Sequence, residues 1–139
     1  MNIALLVISM DFRARVELAS QAGEEFYQLF YDTLDKKRHL LKKLYEESAI
    51  CTWNGNVFKG ATDIVQFYES LPISQHNITS INAVPLLESL TPGQTTIVVT
   101  VFGTVKYDKQ TKSFYQNFTL SSHSTVWKIV SDVFRFLNQ

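Results

Sequence analysis

Apolar positions early in the chain recur at Phe12, Val16, Ala19, Ala22, Phe26 and Phe30. Spacings of three and four place them on one side of a helix, so the pattern predicts a long helix from Phe12 to Leu34. Gly23 lies inside it and costs about 1 kcal/mol relative to Ala. Asp35 stands where it can cap a second helix, Lys36 to Tyr45, with Leu40, Leu41 and Leu44 inward. "SAICTW" then reads as a strand. The "NGN" at 54–56 tolerates positive φ and predicts a hairpin turn into Val57 and Phe58. Gly60 or Thr62 opens a third helix with Ile64, Val65, Phe67 and Tyr68 on its apolar face, and Pro72 stops it. The remainder is strand-like: Gln75 to Val84, a "TPG" turn at 91–93, Gln94 to Tyr107, a polar "DKQTK" turn, Ser113 to Ser122, a Ser-rich turn, then Thr125 to Leu137. Helices followed by an antiparallel meander make an α+β chain whose helices cover one side of a sheet.

A half-exposed antiparallel strand alternates apolar and polar residues. "TTIVVTVFGTVKY" does not. Ile97, Val99, Val101 and Val105 fall on one side, and Val98, Thr100, Phe102 and Thr104 on the other. Phe114, Phe118 and Leu120 likewise oppose Tyr115, Asn117 and Thr119, while Phe134 and Phe136 oppose Val133, Arg135 and Leu137. The second side is mildly apolar and carries little charge apart from Arg135. Three helices can cover only one side, and a bare sheet of several strands exceeds the few hundred Å² a monomer usually exposes. A second sheet from a partner is the expected cover; a sheet bent over to hide both sides itself is the alternative.

Arg135 interrupts that surface, and a charge there needs a carboxylate opposite it. The partner interface is therefore expected to centre on Arg135, with Val133, Asn117, Tyr115 and Thr119 around it by alternation. Thr100, Phe102 and Thr104 extend the set, although a one-residue slip exchanges the two sides. An internal pair with Asp132 or a Glu of the first helix is the other use for Arg135.

The 139 residues suit one domain, and the formal net charge of zero gives no general pull toward nucleic acid or membrane. Cys51 is the only cysteine, so neither an internal disulfide nor a thiolate zinc site is available, and no cofactor or metal is expected. "MNIALLVIS" lacks the basic flank of a secretory signal and reads as an extension over residues 1–10, with a single domain over 11–139. No other stretch approaches the length of a membrane span. The sequons at Asn77 and Asn117 matter only in a secreted protein.

Five segments, "FYQLFYDTLDKKRHLLKKLY", "TWNGNVFKGATDIVQFYESLP", "QTTIVVTVFGTVKY", "FYQNFTLSS" and "VWKIVSDVFRF", resemble the nuclear-transport-factor-2-like family in the same order, over about Asp11 to Phe136. "DKKR" and "WNGN" are the most specific marks. The likeness is greatest to the branch of small nuclear RNA export cofactors. It implies a cone-shaped, curved antiparallel sheet packed on three helices, pairing through its open side with the matching domain of a TAP-type mRNA export receptor. The function it implies is non-enzymatic: stabilising that receptor and helping it engage Phe-Gly nucleoporins, in nucleus, cytoplasm and nuclear pores. Trp53, Phe58, Ile64 and Phe67 then serve as scaffold.

Other readings remain in view. A homodimeric Ran-GDP import carrier of the same family has acidic residues where this chain has Asn54 and the pair Ser124-Thr125. An enzyme resembling ketosteroid isomerase needs a tuned carboxylate or His inside the cone. Asp63, His76 and Asp132 are the candidates, and each reads as a cap, turn or surface residue, with no Asp–His or Tyr–Asp pair expected inside. A weak RNA contact falls to Lys36, Lys37, Arg38, Lys42 and Lys43, against a plain solvated helix face.

Overall fold

The computed structural model describes residues 3–86, 95–123 and 126–137, with side chains from Phe12 onward except that of His123. The expected "TPG" turn, the Ser-rich turn and the side chains of the N-terminal extension lie outside the described residues. Helix α1 runs Ile3–Lys36, starting well before the expected Phe12. Its buried stripe is Ala19, Ala22, Phe26, Phe30 and Leu34. Gly23 earns its place by close approach: a Cβ there would stand 2.6 Å from the Cβ of Ala83 on the sheet. The expected second helix is present as a 3-10 helix, Arg38–Leu44, which buries Leu41. The third expected helix is α2, Ala61–Ser70.

Six strands form one curved sheet: β1 Tyr45–Trp53, β2 Asn56–Lys59, β3 Ser74–Pro85, β4 Thr95–Tyr107, β5 Gln110–His123 and β6 Val126–Phe136, in the order β2-β1-β6-β5-β4-β3. Asn54 and Gly55 form the two-residue hairpin loop, both at positive φ. The strands β3 to β6 are the expected antiparallel meander. The pairing of β1 with β6 is parallel, a departure from a purely antiparallel sheet. The two strands start at the same end of the sheet, Tyr45 opposite Ile129, and run together to Trp53 opposite Phe134.

The core lies between the helices and the inner side of the sheet. Ile97, Val99, Val101, Val105, Phe114, Phe118, Leu120 and Phe134 are at most 2 % exposed. The rings interlock: Phe26 and Phe30 meet Phe118 edge-on at 4.8 and 4.7 Å, and Phe114 stacks on Phe134 at 5.1 Å. Offset and edge-on pairs of this kind add about 0.5–1.5 kcal/mol each beyond burial. Trp53 stacks on Phe134 at 4.9 Å and Phe67 on Phe58 at 4.3 Å, so the expected scaffold residues are scaffold.

Candidate partner-binding surface

The outer side of the sheet is assembled by strand register. Phe102, Tyr115 and Arg135 lie side by side across β4, β5 and β6, and Thr100, Asn117 and Val133 form the next row. Thr119 pairs with Val98 and Ser131, and Thr104 with Ser113. The eight residues expected at the interface therefore share one side, and the register settles Thr100, Phe102 and Thr104 on it. Val133 continues to Thr52 of β1 and Val57 of β2. Among the described residues no helix covers this side, and large apolar side chains stand bare on it: Ile50, Val57, Val84, Phe102 and Leu137 are between 37 and 57 % exposed.

Polar groups are few but placed. Thr100 Oγ1 donates to Asn117 Oδ1 at 2.6 Å across the strands, which leaves the Asn117 amide nitrogen without a partner among the described residues. Arg135 is exposed beside the hairpin loop; a Cβ on Gly55 would come 3.9 Å from its Nη1. No carboxylate pairs with it among the described residues. Asp132, one of its two expected internal partners, points to the opposite side of the sheet.

Asp132 requires a correction. It is neither a cap, a turn nor a surface residue: it is fully buried inside the cone. Tyr45 and Tyr68 donate their hydroxyls to its Oδ2 at 2.7 Å each, and Gln116 Nε2 donates to Oδ1 at 2.7 Å. Tyr31 donates in turn to Gln116 Oε1. Burial pushes the Asp132 carboxyl above its ordinary value, and the hydrogen bonds of Gln116, Tyr45 and Tyr68 pull the other way. Burial beside this carboxylate raises the Tyr45 and Tyr68 phenols and the Cys51 thiol. The expected absence of an inner Tyr–Asp pair thus fails, as does that of an Asp–His pair. His76 Nδ1 lies 2.6 Å from Asp35 Oδ1, with the imidazole almost wholly buried against Tyr31 and Phe114. Asp63 stands in the first turn of α2, where a carboxylate meets the helix dipole favourably.

Asp35 does not cap a helix. It accepts from Ser74 Oγ and the His76 amide as well as pairing with the imidazole. Arg38 completes this clamp: its guanidinium donates to the carbonyls of Leu34, Tyr68, Leu71 and Pro72 and to Ser74 Oγ. The "DKKR" mark is thus a structural staple joining α1, α2 and β3. Arg38 leaves the basic run, its donors being used. Lys36 pairs with Asp32 at 3.2 Å in solvent, an arrangement of little strength. Among the described residues no group of His, Cys, Asp and Glu could hold a metal, and no helix is long and apolar enough to cross a membrane.

A curved sheet with helices inside and a bare, nearly uncharged outer side is the architecture of a nuclear-transport-factor-2-like domain. The family model "Nuclear transport factor 2 (NTF2) domain" matches residues 22–136, and the chain belongs to this family. It is 42 % identical over 133 residues to NTF2-related export protein 1 of Bos taurus, covering 92 % of this chain and 95 % of the relative. It is 41 % identical over 136 residues to NTF2-related export protein 2 of Mus musculus, covering 94 % and 96 %. Among solved structures, nuclear transport factor 2 of Cryptosporidium parvum superposes with a TM-score of 0.75 at 31 % identity, over 86 % of this chain and 94 % of that one. A chain of the C. albicans Mtr2-Mex67 M domain complex shares the fold, with a TM-score of 0.71 at 14 % identity over 85 % and 94 %.

Proposed function

We propose that this protein is a non-enzymatic adaptor that pairs, through the outer side of its sheet, with the matching domain of a TAP-type mRNA export receptor, stabilising it for export through nuclear pores. The observation that carries this is Arg135: an exposed guanidinium with no carboxylate partner among the described residues, on interior strand β6 beside a threonine-, asparagine- and valine-lined surface that none of the described helices covers. A second sheet lying on this surface would bury on the order of 2,000 Å² in total. The export-protein names of the relatives, and the pairing named for Mtr2 and Mex67, support the same reading. Engagement of Phe-Gly nucleoporins is then indirect, through the receptor, and the protein works in nucleus, cytoplasm and nuclear pores. Any RNA contact is auxiliary and falls to Lys36, Lys37, Lys42 and Lys43. The pairs buried inside the cone do not favour catalysis, because the Asp132 oxygens are already occupied by protein donors.

The test mixes the purified chain with the receptor's matching domain and reads mass by light scattering. A one-to-one complex is expected, and its loss with Arg135→Glu. Retention of the complex by that variant removes Arg135 from the interface; no complex with the native chain ends the reading.

A further inference from the structure

The two borders of the sheet differ. β2 ends it on one side with 4 residues, Asn56–Lys59, the last a lysine. β3 ends it on the other with 12, Ser74–Pro85, and none of them is Lys, Arg, Asp or Glu. Border strands are commonly kept short or charged, which discourages stray pairing. β3 is neither, and its register is broken between Ile78 and Ser80 alone. In an antiparallel ladder N–H groups point alternately to either neighbour. The amide of His76 leaves the sheet for Asp35 Oδ2 at 2.9 Å, so the inward-facing residues of β3 turn their backbone to the open border. Leu86, of the other parity, donates back to the Thr96 carbonyl of β4. Pro85, which has no N–H to satisfy, stands at a border-facing position. The amides of Ile78, Ile81 and Ala83 face the same way and have no acceptor among the described residues.

Helix α1 runs antiparallel to this border, from the close approach of Gly23 to Ala83 to the pair of Asp35 with His76. Toward the Asp35 end a groove of about 440 Å³ separates them. Gln75, His76 and Ile78 line it from the strand, and Tyr27, Gln28 and Asp32 from the helix. Between Gly23 and Asp35 the helix carries Glu24, Glu25, Asp32 and Asp35, and neither Lys nor Arg. Glu24 stands one turn before Gln28, so it shares the groove side with Asp32 and Asp35. Lys36, in exposed contact with Asp32, is the cation at the end of the groove. We propose that this border takes up an extended, basic peptide segment as an added strand. The peptide backbone supplies carbonyls to the waiting amides. Its alternate side chains enter the groove, where Lys or Arg meets the carboxylates of the helix. The chain is neutral overall, so this acidic wall is a local field. A second copy of the chain fits poorly, because pairing β3 with β3 sets two acidic helices side by side. The phosphates of a nucleic acid meet the same repulsion. β4 and β5 separate the border from Arg135 on β6, which leaves the outer surface around Arg135 free.

The experiment titrates the full chain with a fluorescein-labelled peptide of alternating valine and lysine. Controls are the same peptide with Glu for Lys, the same peptide with its backbone amides N-methylated, and a single-stranded oligouridine. Binding of the first peptide alone is expected, weakening as salt rises. On binding, the amides of Ile78, Ile81 and Ala83 should exchange with solvent about tenfold more slowly or less, with the Asn117 and Arg135 amide resonances unmoved. The double change Glu24→Lys with Asp32→Lys should weaken binding about tenfold or more. Unchanged far-UV circular dichroism guards against misfolding; if the double variant misfolds, Glu24→Gln with Asp32→Asn takes its place. Equal binding of the glutamate peptide or of the N-methylated one, undiminished binding by the variant, or unchanged exchange at the three amides overturns the proposal. So do preferential capture of oligouridine, protection of those amides by self-association of the free chain, and no binding at all.

Discussion

Asp132 is a fully buried carboxyl group. Its three donors stand in for solvent, and they come from far along the chain: Tyr45 and Tyr68 precede it by 87 and 64 residues. Asp132→Ala leaves two phenols and an amide buried without their acceptor, and should cost about 3 kcal/mol or more by urea denaturation. Asp132→Asn keeps an acceptor oxygen and should cost less. The two acids also set opposite pH dependences. The folded pKa of Asp132 is raised from 3.8, so the folded state binds its proton more tightly than the unfolded chain does. Its contribution is greatest below 3.8 and declines as pH climbs toward the raised value. Asp35 is lowered from 3.8: burial opposes this, but the bonds from His76 and Ser74 prevail. Its contribution is full above 3.8 and fades as pH falls through the lowered value. Melting temperature against pH should therefore fall less steeply above pH 3.8 in Asp132→Asn than in the native chain; an identical slope contradicts the assignment. Part of this network was legible beforehand. Asp132 shares the parity of Phe134 and Phe136, and Gln116 sits between Phe114 and Phe118, so alternation alone turns both inward. Which tyrosines would meet them was not legible, because nothing local brings α2 and the start of β1 to one point.

Elements obeyed their periodicity where one neighbour decided the matter, and departed from it where several did. The stripes of α1 and α2 and the two sides of β4, β5 and β6 follow simple spacing. The segment after α1 tightens into a 3-10 turn because Arg38 is drawn into the carbonyls that end α2, a demand written elsewhere in the chain. Arg38→Ala should destabilise by about 2–4 kcal/mol, since carbonyls that close the staple lose their donor. Arg38→Lys should restore little, because one ammonium cannot serve a planar fork; thermal melts of both variants decide. Gly23 poses a cleaner contest. Alanine improves the helix by about 1 kcal/mol, yet its methyl meets the Ala83 Cβ, which is fixed to the strand backbone. Overpacking costs about 1–3 kcal/mol, so Gly23→Ala should lower stability in urea unfolding, and a stabilised variant would refute the close approach. The bulges that shift register between Ile78 and Ser80 and between Thr119 and Leu120 have no comparable mark in the sequence.

At the scale of the whole molecule, one side of the sheet is built as a core and the other as half of one. A partner that binds only the folded form stabilises it by mass action. The melting temperature should therefore climb with added receptor domain, and Phe102→Arg should cancel the climb while leaving the isolated chain's melt within about 0.5 kcal/mol of native, as for an exposed position. A melt indifferent to the receptor domain contradicts the pairing. The α+β class and the meander could be read from order alone, and so could the bare side, from its missing alternation. The parallel contact of β1 with β6 could not, since a long excursion separates them. That contact has a temporal corollary. β6 is made after the other five strands of the sheet, yet it occupies an interior place in it, with β1 on one flank and β5 on the other. A nascent chain must therefore hold its first hairpin unattached until β6 has emerged, and its exposed strand borders make that interval a natural moment for chaperone capture.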